Sequence, residues 1–273
     1  MNTIPRITDR AALKRNRSRA QADLATFLHD EAIADIQDRL AMVNRDFTKA
    51  TIVTGHPGLW GSAFPDATII EDLETLDLEP ESNDLVIHAM SLHWANDPVG
   101  QIIQCRRSLM PDGLFLSVAF GGKTLHELRD ALSRAEIETV GGLSPRIAPM
   151  AELRDMGGLL QRAGLALPVA DFLLLTAEYR DVYHLMRDLR AMGEANALMD
   201  RHRTPPSKSL FETTQRIYAG SYLTDAGRLP ATFELVFLSG WAPAESQPKP
   251  LRPGSAKTSL ADALGTLENP LKD

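Results

Sequence analysis

One cysteine, Cys105, stands in 273 residues. A lone thiol excludes a disulfide framework and any cysteine-built zinc or iron–sulfur site within one chain, and it suits a reducing compartment. Long apolar runs are missing as well. No stretch approaches ~18 uninterrupted apolar residues, so nothing in the sequence is built to span a bilayer. Basic excess is also lacking, since 29 Lys and Arg stand against 36 Asp and Glu, for a formal net charge of −7. That balance argues against general nucleic-acid binding, which needs a basic face to neutralise phosphates. No internal repeat is found, and no residue spacing suggests a metal site. What is present is 44% apolar residues, enough for one large core or two small ones.

The basic residues that do occur crowd the N-terminus: Arg6, Arg10, Lys14, Arg15, Arg17 and Arg19. An Arg-rich amphipathic start is compatible with a mitochondrial transit peptide, but Asp9 interrupts it. A solvated basic helix face, part of it open to an acidic partner, is the plainer reading. Apolar residues at helical spacing predict a helical lead over 11–40. Short strand-like runs follow at 51–53, 67–70, 85–87 and 114–120, with helical periodicity over 98–110. Helices are expected over 124–140, 150–163, 181–192 and 207–222, and strands over 172–176 and 232–241. Strands alternating with helices indicate an α/β protein with a doubly wound, mostly parallel sheet. The expected organisation is one domain over 1–273. It comprises a helical lead (1–46), a Rossmann-like core (47–176), a helical insertion (177–229), a last strand (230–242) and an extended, proline-bearing tail (243–273).

Three loops could carry chemistry, because open α/β sheets bind ligands at the carboxyl ends of their strands. Thr54-Gly55-His56-Pro57-Gly58 follows the first strand run; its glycines permit close backbone approach, or make an ordinary tight turn. Ser91-Leu92-His93-Trp94-Ala95-Asn96-Asp97-Pro98 follows the third run. It gathers a hydroxyl, an imidazole, an indole, an amide and a carboxylate. His93 and Asp97 are able to do acid–base work; alternatively Trp94 packs and Asp97 caps the next helix. Gly121-Gly122 follows the fourth run, again as a ligand loop or as a plain strand–helix junction. Asp188, Glu194 and Asn196 form a smaller cluster at a helix end.

The stretches SLHWANDP (91–98), PDGLFLSVAFGGKTLHELR (111–129) and GGLSPRIAPMAELRDMGGLLQRAG (141–164) resemble the mitochondrial respiratory complex I assembly factor 5 family and its bacterial relatives. So do MRDLRAMGEANA (186–197), PATFELVFLSGWAPAESQPKPLRPGSA (230–256) and the pattern from Asp9-Arg10 to Ala20, which lowers the transit-peptide reading. The resemblance implies a class I S-adenosylmethionine (SAM) methyltransferase fold. It also implies SAM-dependent modification, described as hydroxylation, of an arginine on an iron–sulfur subunit of complex I, here in a bacterial cytoplasm. Around the reacting centre it places Ser91, His93, Trp94, Asn96, Gly121 and Gly122. A guanidinium calls for a planar carboxylate or amide partner and an aromatic face, so at least one of Glu127, Asp188 and Glu194 is expected near Trp94 and the Gly121-Gly122 loop. Otherwise all three pair with local Arg129, Arg187 or Arg190.

The sequence departs from the family at the cofactor loop. Where members carry LDLGCGRG, this chain has Thr51-Ile52-Val53-Thr54-Gly55-His56-Pro57-Gly58, a degenerate version in which Thr54 and His56 replace glycines. Only 25 residues (59–83) separate Gly58 from Asp84, space for one strand–helix unit where the family's fold has two. The cofactor residues implied are therefore Gly55 and Gly58 with Asp72, which matches the adenine-side acid, or with Glu71 as the ribose acid in a competing register. The expected pocket is too narrow for SAM. Two other readings stay open: a non-catalytic assembly factor that has lost SAM, and a malonyl-carrier-protein methyltransferase. The second fits the fold but not the family-specific C-terminal motifs.

Overall fold

The computed structural model describes residues 6–248 and Gly265. Its helical lead is two helices, α1 (Arg10–Ala20), capped by Asp9, and α2 (Phe27–Met42). The first three strands are β1 (Ala50–Thr54), β2 (Thr68–Glu71) and β3 (Asn83–Ala89), with only the short helix α3 (Pro57–Ala63) between β1 and β2. α4 (Pro98–Ser108) leads into β4 (Leu109–Phe120), and α5 (His126–Val140) and α6 (Leu153–Arg162) follow. β5 (Ala166–Tyr179), α7 (Val182–Ala191), α8 (Lys208–Tyr222) and β6 (Leu229–Trp241) complete the order.

All six strands form one sheet in the order β2-β1-β3-β4-β6-β5. β2, β1, β3 and β4 are parallel, and β6 runs against both β4 and β5. The runs at 51–53, 85–87 and 114–120 are thus adjacent and parallel. A single strand–helix unit lies between β1 and β3, so β2 forms the sheet edge beside β1. The strand expected at 172–176 is much longer, because β5 pairs β6 from Ala166–Trp241 to Tyr179–Leu229. As the outer strand it alternates, with Leu173 and Leu175 on the core and Phe172 and Leu174 exposed. Asp181 and Ser207 cap α7 and α8 with side-chain bonds to His184 and Leu210 N–H.

Alternate residues of each inner strand feed opposite faces. Ile52, Ile87, Leu116 and Val118 pack with Leu28, Leu128, Tyr218 and Phe233 on the α2/α5/α8 side. Val53, Val86, Phe115 and Val236 pack with Ile102, Cys105 and Leu160 on the α4/α6 side. The chain divides into compact units at Pro243. In the second, the Gln247 N–H donates to the Ala244 carbonyl (3.3 Å); the tail expected beyond 248, Gly265 apart, lies outside the described residues.

Candidate functional site

The parallel strands bring the loops after β1, β2, β3 and β4 to one edge of the sheet, where two cavities open. β3 is followed directly by Met90, a non-glycine residue at φ 48°, and the chain then turns through a short 3-10 segment, Leu92–Trp94. Such a backbone is costly and needs surrounding structure to hold it. α7 ends similarly: Gly193 takes φ 79°, a C-cap conformation that glycine adopts without a steric penalty, and folds Glu194 back toward the sheet.

Glu194 Oε2 accepts a 2.6 Å hydrogen bond from Trp94 Nε1, and His93 Nε2 stands 3.2 Å away. Burial opposes the charge of this carboxyl, but His93, Arg17 and the Trp94 N–H outweigh it and hold the pKa at about 2. Among the described residues, Glu194 Oε1 has no hydrogen-bond partner. The carboxylate lines a cavity of about 230 Å³ whose walls include Trp94, Phe120, Leu128, Met150, Phe211 and Phe233. Arg146, also at its wall, is neutralised by Glu136 at 2.7 Å. The other two candidate carboxylates are elsewhere. Glu127 accepts from Thr232 Oγ1 (2.5 Å) and the Thr232 N–H, and Asp188 does not line the cavity.

The remaining predicted residues of the reacting centre divide. His93 and Trp94 hold Glu194. Ser91 points to His88, its Oγ 3.4 Å from His88 Nδ1, and His88 in turn meets Gln101 at 2.6 Å. Asn96 is a clamp: its Oδ1 accepts from the N–H groups of Ile7 and Thr8 (2.8 Å each), and its Nδ2 donates to Glu74 Oε1 (2.7 Å) and the Thr8 carbonyl (3.3 Å). Gly121 and Gly122 make room for carboxylates, since a Cβ there would lie 2.5 Å from Glu234 Oε2 and Glu152 Oε1 respectively.

The second cavity, about 320 Å³, lies between α1 and the ends of β1 and β2; Arg10, Lys14, Arg17, Gly55, Glu71 and Asp72 line it. Arg17 was not expected here. Its Nη1 donates to both oxygens of buried Asp72 (2.9 Å each), and Arg10 Nη2 stands 3.2 Å from the same carboxylate. Burial works against the Asp72 charge, yet the two guanidinium groups bring its pKa below the ordinary carboxylate value. Glu71, at the end of β2, is exposed beside Lys14 at 3.5 Å. Gly58 is open, whereas a Cβ on Gly55 would lie 2.0 Å from Arg17 Nη1. The helical spacing of Arg10, Leu13, Arg17 and Ala20 was the available signal: it sets two arginines on the stripe that α1 turns inward.

Thr54 and His56, expected to project into the cofactor loop, are both buried, and Thr54 Oγ1 accepts from the His56 N–H (3.1 Å). Burial first, then the charge of Arg17, lowers the His56 pKa to about 4. An adenosyl cofactor needs a free adenine-side carboxylate and an open glycine-lined approach. Here Asp72 gives both oxygens to Arg17, whose guanidinium lies against Gly55. As arranged, these residues do not fit SAM. Among the described residues no group of His, Cys, Asp or Glu is placed to hold a metal ion, and no helix is long and apolar enough to cross a membrane.

A family model described as a methyltransferase domain matches residues 41–117. The arginine-hydroxylase NDUFAF5 of Dictyostelium discoideum is 44% identical over 190 residues, 69% of this chain and 43% of that protein. The human arginine-hydroxylase NDUFAF5 is 36% identical over 205 residues, 75% of this chain and 59% of that protein. A malonyl-[acyl-carrier protein] O-methyltransferase of Nitrosospira multiformis is 36% identical over 173 residues, 63% of this chain and 54% of the enzyme. The chain thus spans roughly half the length of these relatives. Among solved structures, the YcgJ protein from Bacillus subtilis superposes with a TM-score of 0.51 at 13% identity, over 78% of this chain and 99% of that one, a likeness of fold alone.

Proposed function

We propose, for a chain that is an NDUFAF5-like member of the class I methyltransferase superfamily, that it recognises an arginine side chain on an iron–sulfur subunit of respiratory complex I. The observation that carries this reading is Glu194, a buried carboxylate at the wall of an apolar cavity with Oε1 unpartnered and the Trp94 indole bonded to Oε2. A guanidinium is a planar, permanently charged donor that pairs strongly with a carboxylate and stacks on an aromatic face. Its methylene stem suits apolar walls. His93 and Trp94 fix the carboxylate, and its low pKa keeps it charged. The arginine-hydroxylase name of the relatives supports the same target.

The chain's own residues bind and orient the arginine, while the Arg17–Asp72 pair fills the place beside Gly55 that SAM would need. That occupied seat favours a second reading, an assembly factor that holds the arginine segment without transforming it. The buried, single Cys105 suits a reducing compartment, here the bacterial cytoplasm. Calorimetry with a peptide bearing arginine, and the same peptide bearing neutral citrulline, tests the proposal. Arginine should bind at least about tenfold tighter, and Glu194→Gln should abolish the difference. Equal binding of the two peptides by the unmodified protein would reject it.

A further inference from the structure

The seat at the end of β1 is filled from within the chain. We infer that Arg17 is a displaceable plug carried by α1, and that an adenosyl ligand enters only when α1 withdraws. The inference does not depend on the arginine target proposed above.

Geometry carries it first. The guanidinium occupies the place beside Gly55 where a side chain or ligand would stand, with Nη1 2.0 Å from the Cβ position. The rest of the side chain is wedged against the α7 exit, since a Cβ on Gly193 would lie 3.0 Å from Arg17 Cγ and 3.2 Å from its Cα. Arg17 therefore bridges the β1 turn and the segment that presents Glu194.

The plug is also incompletely satisfied. Arg17 Nε and Nη2, Arg10 Nη1 and His56 Nε2 are all buried without a hydrogen-bond partner. A contact built for permanence pairs its buried donors; this one holds through Asp72 alone. Two guanidinium groups share that single buried carboxylate.

Finally, α1 is lightly anchored. The residues it buries are Ala12, Leu13, Arg17 and Ala20, so Leu13 is its one large apolar contribution. Its start is held by Asn96 through Ile7 and Thr8, by the Asp9–Arg201 ion pair at 2.9 Å and by a bridge from Thr8 to Leu198. Farther along, Asn16 Nδ2 donates to the Ala195 carbonyl at 2.9 Å. The helix can swing from its clamped N-terminal end while the sheet stays intact. Leu13 clusters with Trp94, so that swing would also loosen the wall of the Glu194 cavity.

S-adenosylhomocysteine, titrated calorimetrically into the unmodified protein and into Arg17→Ala, tests the plug, with circular dichroism confirming the fold of each. The unmodified protein should show no binding up to about 1 mM, and Arg17→Ala should bind at least about tenfold more tightly than that limit. Hydrogen exchange of the α1 amides should be faster in the variant. If Arg17→Ala does not fold, Arg17→Gln, which keeps a shorter donor for Asp72, should give a gain of the same sign. Two results overturn the inference. Binding to the unmodified protein that weakens on substitution would make Arg17 a cofactor ligand. A folded variant that still binds nothing would show that Arg17 is not what closes the seat.

Discussion

Trp94 Nε1 donates to Glu194 Oε2 at 2.6 Å, joining a loop after β3 to the segment after α7 across 100 positions of sequence. The bond fixes the carboxylate where the apolar cavity meets the sheet edge. Trp94→Phe keeps the ring and removes the donor, leaving a buried charge less satisfied. We predict a loss of about 1–3 kcal/mol in urea unfolding. Binding of an arginine peptide should also weaken, because the carboxylate loses its fixed orientation. A variant with wild-type stability and affinity would show that the bond does not organise the site.

Acid should weaken this protein earlier than its carboxylates alone predict. His29 and His56 are buried and neutral, burial being the main cause that lowers their pKa values to about 3 and about 4. Their unfolded forms protonate near pH 6.5, so between that pH and about 4 the unfolded chain binds more protons than the folded one. The stability they contribute is complete above pH 6.5 and is lost as pH falls through that window. Glu194, with a pKa lowered to about 2, adds a further loss below about pH 4.5. Thermal unfolding across pH 4–8 should show the decline beginning near 6.5. His56→Asn should flatten the upper limb by on the order of 2–3 kcal/mol.

Much of the scaffold is legible in the sequence because it rests on local periodicity. Ile52 and Val53, or Leu85 and Val86, alternate between two cores, and that period of two needs no knowledge of the rest of the chain. Glu194 stands in the sequence only as one of three carboxylates that the chemistry of a guanidinium sets near Trp94, and the bond between them appears only in the fold. The long partners escaped. The full length of β5 depends on its ladder with β6, whose partners lie up to 75 positions away (Ala166 with Trp241). Arg17 reads locally as one more charge on a solvated basic helix, and its role appears only when Asp72, 55 positions on, is brought beneath it. Asn96 likewise looks like a polar loop residue until Ile7 and Thr8 fold back onto it.

Asn96 sets how firmly α1 is attached. Its amide serves the Ile7 and Thr8 backbone and Glu74 together, so Asn96→Ala removes several bonds at once. We predict about 1–3 kcal/mol of destabilisation and markedly faster hydrogen exchange over residues 7–20, with the β3 and β4 amides protected as before. Uniformly faster exchange, sheet included, would mean that the clamp supports the global fold rather than the N-terminal helix.

Gly55 and Arg17 should prove energetically coupled. A methyl group on Gly55 would stand 2.0 Å from Arg17 Nη1, far inside contact distance, and nearby are Arg17 Cζ at 2.2 Å and Nε at 2.6 Å. Gly55 is not among the positive-φ glycines, so backbone strain is not the obstacle to alanine. The cost of Gly55→Ala must therefore come from pushing the guanidinium off Asp72. Overpacking of this kind costs about 1–3 kcal/mol. In an Arg17→Ala background those three contacts are gone, so most of the cost should vanish. A double-mutant cycle by chemical denaturation measures this, with an expected coupling of at least about 1 kcal/mol. Additive costs would mean that the guanidinium is not held against the β1 turn in solution, and both the ion pair's geometry and the closed seat would have to be given up.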